Sequence, residues 1–128
     1  MKKKLFLMCL VGLLSVSSAY AACEGGTEVT NTVGTTFCKS KVGMNWWSAA
    51  AWCRANGMSL ATMYEMCPSW DGNTGVGKCP ELSGNGGYAW SATAKESERA
   101  FRVYFLDKEV STFDKRNSSA DYNYAFCR

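Results

Sequence analysis

Apolar and polar positions alternate along 35–42, a run of β-formers that includes Phe37 and Val42, and this reads as a strand ended by Gly43. The period then changes. Trp46, Ala49, Ala50 and Cys53 stand at i, i+3, i+4 and i+7, one face of a helix over 46–56. Asn45 is a good N-cap, Met44 can close a hydrophobic staple from outside, and Gly57 supplies the stop. The consecutive alanines 49–51 keep this helix thin enough to lie close to a sheet. Thr62 and Glu65 then have the spacing of a capping box, which predicts a short helix over 63–67 that Pro68 ends.

The remaining pattern is loop and strand. Residues 24–34 are polar and rich in Thr and Gly, a loop or a short hairpin. The stretch 69–87 holds six of the twelve glycines together with Pro80, and reads as a long loop. One strand is predicted over 88–93, then a hairpin of 101–106 and 109–113 turning at Asp107-Lys108. A polar loop over 114–121 and a last strand over 122–127 complete one α+β domain.

The first residues stand apart. Lys2, Lys3 and Lys4 precede an apolar run over 5–14, and small residues lead to Ala19-Tyr20-Ala21, the make-up of a secretory signal peptide over 1–21. The run is well short of the ~20 residues of a membrane span. Tyr20-Ala21-Ala22-Cys23 hints at a lipoprotein cleavage site, but Tyr20 stands where an aliphatic residue is normal, and plain cleavage after Ala21 is favoured. The expected mature protein, 22–128, is therefore secreted or periplasmic, and the lysine-rich leader suits a bacterium. Three of the fourteen basic residues leave with the leader, and eleven then balance eleven acidic ones. A nucleic-acid partner would want a basic surplus, and none remains.

Six of the seven cysteines lie beyond the leader: Cys23, Cys38, Cys53, Cys67, Cys79 and Cys127. An even number in a short exported chain is the arithmetic of three disulfides. Zinc would need closer ligand pairs, whereas the nearest cysteines here are 12 positions apart and His is absent.

The spacing Trp46-x-x-Ala49-x-x-x-Cys53-x-x-x-Gly57-x-x-Leu60-Ala61, with Cys127 at the end of the last strand, resembles the first-helix signature of the C-type lectin-like domain family. The resemblance covers nearly all of 23–128. It implies two short helices, small antiparallel sheets and a long loop. It also implies a bond between Cys53 and Cys127, and one between Cys23 and Cys38 in the N-terminal hairpin of the longer members. Cys67 and Cys79 are then left to close the glycine-rich loop. Two family features are missing, the central Trp-Ile-Gly-Leu strand and the cystine of the later strands. The Glu-Pro-Asn, Gln-Pro-Asp and Trp-Asn-Asp motifs of calcium-dependent sugar binding are missing too, so that chemistry does not carry over.

Without His, Ser-His and Cys-His nucleophile pairs are excluded. The spacing of Glu65, Asp71, Glu81, Asp107, Glu109, Asp114 and Asp121 singles out no acid–base pair, and no enzyme is expected. The stretch 72–79 approaches a phosphate-binding loop but lacks its final Ser or Thr. Trp46 and Trp47 are expected in the core and Trp52 at the edge of the buried stripe. Trp70 and Trp90, beside the long loop, are candidate platforms for a ligand. Asp114, Asn117, Asp121 and Asn123 are candidates for bonding its hydroxyls, with neither metal nor cofactor expected. The expected function is a non-catalytic binding module for a glycan or an extracellular surface protein, independent of calcium. A structural or adhesin subunit of an envelope assembly is the alternative.

Overall fold

A computed structural model describes residues 23–72, 77–84, 86–117 and 123–128, so the leader and Asp121 lie outside the described residues. Strands β1 (Gly26–Thr30) and β2 (Thr36–Gly43) pair antiparallel, and 24–34 proves to be part of a hairpin. Asn31 builds its turn: Oδ1 accepts from the amides of Val33 and Thr35, and Gly34 takes a φ of 89°. The other end of the same side chain donates to the Met66 carbonyl, which fastens the hairpin to the second helix.

Helix α1 (Trp46–Ala55) forms where the period placed it. Asn45 Oδ1 accepts from the Ser48 amide at 2.8 Å, and Gly57 follows with a φ of 73°. Asn45→Ala is expected to cost about 1 kcal/mol of stability. Urea denaturation of the variant would read this, and an unchanged midpoint would mean that the cap contributes nothing. Helix α2 (Met63–Met66) carries the full capping box: the Glu65 amide donates to Thr62 Oγ1, and the Thr62 amide donates to Glu65 Oε1.

Strands β3 (Tyr88–Glu96), β4 (Arg99–Tyr104), β5 (Val110–Asp114) and β6 (Asn123–Cys127) follow. The expectation of small antiparallel sheets is corrected here. All six strands form one mixed sheet in the order β1-β2-β6-β3-β4-β5, because β6 inserts between β2 and β3 and runs parallel to β3. The closing strand thereby joins the N-terminal hairpin to the later strands.

Both faces of this sheet carry a core. On one, α1 packs mainly over β6 and β3, and Ala49, Cys53, Trp90, Ala100, Ala125 and Cys127 form the core. On the other, α2 and the glycine-rich segment cover Phe37, Phe101, Val103, Phe105 and Phe126, with Met63, Met66 and Leu82 filling between. Ala125, Phe126 and Cys127 alternate between the two cores, as a strand must. The disulfides Cys23–Cys38, Cys53–Cys127 and Cys67–Cys79 all form, the pairing that the resemblance implies. The Cys67–Cys79 segment is further held where the Cys79 amide donates to the Lys108 carbonyl and the Val110 amide to Gly77. Among the described residues, no helix is long and apolar enough to cross a membrane.

Candidate binding face

Strand alternation puts Tyr88 and Trp90 of β3, Arg102 and Tyr104 of β4, and Ser111 and Phe113 of β5 on the α1 side of the sheet. Because α1 packs mainly over β6 and β3, aromatic and cationic side chains line the rest of this face. At its centre is Arg102, which exposes only 8% of its surface. Its guanidinium lies between two rings, 3.6 Å from the centroid of Tyr88 and 3.5 Å from that of Phe113. Nη1 donates to Asn123 Oδ1 at 2.7 Å and Nε to Ser111 Oγ at 3.3 Å. Burial pulls its pKa down to about 10, so it remains a cation at neutral pH. No carboxylate of the described residues pairs with it. The Nδ2 of Asn123, buried beside it, has no hydrogen-bond partner among the described residues.

The face continues toward α1. Lys115, two residues beyond Phe113, lies with its Nζ 4.3 Å from the ring of Trp46 and 6.0 Å from that of Trp47. Its carbonyl accepts from the Trp46 amide at 3.0 Å, which fixes the start of the helix to the end of β5. Trp46 Nε1 donates to the Ser91 carbonyl, so that ring is held from both sides. Trp47 is not in the core as expected. It stands edge-on to Trp46, with centroids 5.9 Å apart, and exposes 47% of its surface. Tyr88 and Tyr104, 4.8 Å apart, form the opposite end. Aromatic and cationic groups thus alternate from Tyr104 and Tyr88 through Arg102 and Phe113 to Trp46, Lys115 and Trp47.

No protein-family model matches this chain, and no curated protein matches it. The chemistry of the face has to speak for itself. It offers flat apolar surface with positive charge, and it is supported from beneath by backbone hydrogen bonds. Among the described residues, no group of three or more His, Cys, Asp or Glu side chains is placed to hold a metal ion.

The residues singled out from the sequence fall around this face unevenly. Trp90 is fully buried, with Nε1 donating to the Met44 carbonyl at 2.8 Å, so it supports the face from within and is no platform. Trp70 is corrected in the same way: it is 6% exposed, lies in the other core, and packs edge-on against Phe101 at 4.9 Å. It also lines a small cavity of about 100 Å³ with Ser69, Asp71, Gly77 and Lys78. Asn123 belongs to the face but is buried behind Arg102, its carbonyl oxygen already engaged. Asp114 sits at the margin, in a two-toothed pair with Arg116 whose hydrogen bonds hold its carboxyl at about 2. Asn117 closes the following turn through its amide, and Asp121 lies outside the described residues.

The sequence pointed to neither Tyr88 nor Arg102, gave Lys115 only as part of the polar loop that follows β5, and placed Trp47 in the core. A signal for Arg102 existed. It interrupts the apolar run Ala100, Phe101, Val103, and a charge inside a strand that apolar has to be accommodated by its neighbours.

Proposed function

We propose that this chain is an exported, non-catalytic binding module of C-type lectin-like build that recognises a glycan, without calcium, on the face between α1 and β5. The observation that carries this reading is Trp47, half-exposed beside Trp46 and Lys115 at the rim of a buried aromatic–cationic layer. A sugar ring presents a flat C–H face that packs on an indole, and its hydroxyls need donors close by. Rigid aromatic anchors seated on a well-packed base also confine binding energy to few residues.

The test is a glycan array with the oxidised protein, run once with calcium and once with a chelator, alongside Trp47→Ala. Binding is expected to survive the chelator. The substitution is expected to weaken it about ten-fold or more while changing stability by less than about 1 kcal/mol, since the side chain is half in solvent. Loss of binding with the chelator would overturn the calcium-free reading. Silence of the whole array, with self-association in solution, would favour a structural subunit instead.

A further inference from the structure

Lys115 faces two indole rings and joins no carboxylate among the described residues. The residue is 7% exposed, packed against the first turn of α1. An ammonium has three donors to satisfy. Of the neighbouring acidic residues, Asp114 is paired with Arg116, and Glu98 meets Lys115 through its carbonyl, which accepts from the Lys115 amide. The first turn of α1 holds no acidic residue, so the positive end of that helix is also left unneutralised at Trp46 and Trp47. Arg102 adds a second cation on the same face. Two buried cations and a helix start thus sum to a positive field over a chain whose acidic and basic residues beyond Lys4 are equal in number.

We infer that the ligand of this face is a carboxylate-bearing saccharide, a sugar of the uronic or sialic acid type, whose ring packs on Trp47 and whose carboxylate accepts from Lys115 Nζ. This rests on the glycan reading above and narrows it. A carboxylate oxygen would give the ammonium a charged acceptor beside the two rings, and a charge-assisted hydrogen bond is stronger than a neutral one. The exposed indole offers a flat ring face on which a saccharide ring can stack.

The test is calorimetric titration of the oxidised protein with an oligogalacturonate and with the same oligosaccharide after its carboxyl groups are reduced to alcohols. The acid is expected to bind about ten-fold or more tightly than the reduced form, with a preference that shrinks as salt is raised. Lys115→Met, which keeps the buried stem, is expected to bring the two affinities together while its denaturation midpoint stays close to that of the parent. Trp47→Ala is expected to weaken both. Equal affinities in the parent would overturn the charge inference and leave the glycan reading standing. An acid preference that survives Lys115→Met would overturn the site. A poly-glutamate chain binding as tightly as the oligogalacturonate would overturn the saccharide, and binding of neither sugar form would count against the glycan reading itself.

Discussion

Replacing both Cys53 and Cys127 with alanine is expected to lower the unfolding free energy by about 4 kcal/mol, the largest loss from any of the three disulfides. The two cysteines are 74 positions apart, against 15 for Cys23–Cys38 and 12 for Cys67–Cys79. In the chain-entropy description the longer loop constrains the unfolded chain most, and the shorter two contribute about 3 kcal/mol each. Position adds to length. Cys53 and Cys127 are both fully buried, one on α1 and the other on β6, the strand that joins the N-terminal hairpin to the rest of the sheet. Since a domain of this size has about 5–15 kcal/mol in all, the double variant should melt some 15–25 °C lower. Urea denaturation under oxidising conditions is the direct measurement. A loss no greater than that from removing Cys23–Cys38 would show that loop length does not set the order here.

What could be read in advance divides along the range of the forces involved. The start of α1 at Asn45, its stop at Gly57 and the capping box of Thr62 and Glu65 are local, since each is completed by atoms a few residues away. The strands were visible for the same reason, although β3 runs to Glu96, beyond the 88–93 that its pattern shows. The strand order was not visible. Nothing within 123–127 tells β6 to lie between β2 and β3, because alternation marks a strand and not its neighbours. The binding face shows the same limit more sharply. The carboxylate of Asp114 looks free for a ligand in the sequence, but the turn brings Arg116 back onto it. Arg102 needs Tyr88 on one side and Phe113 on the other, 14 positions before it and 11 after. Only the registers of β3 with β4 and of β4 with β5 make that sandwich.

The tryptophans exchange roles for the same reason, and Trp90→Ala should show it. This substitution is expected to cost about 3–5 kcal/mol, the range for truncating a buried aromatic. Trp90 is fully inaccessible and is among the largest side chains in the α1-side core. Its Nε1 holds the Met44 carbonyl, just before the cap of α1, and truncation removes that hydrogen bond as well as opening a cavity. Its ring is also 6.4 Å from Phe113, one wall of the Arg102 sandwich, so the aromatic signals in near-ultraviolet circular dichroism should weaken along with stability. Trp90→Phe keeps most of the volume and loses the donor, and is expected to fall between the two. If Trp90→Ala kept the parent's denaturation midpoint but lost glycan binding, Trp90 would be touching ligand and its burial would not describe the working protein. The expected outcome is the reverse of that for Trp47→Ala, which is predicted to lose binding and keep stability. In one case the indole is spent on holding the sheet to the helix, and in the other it is left at the surface where a partner can reach it.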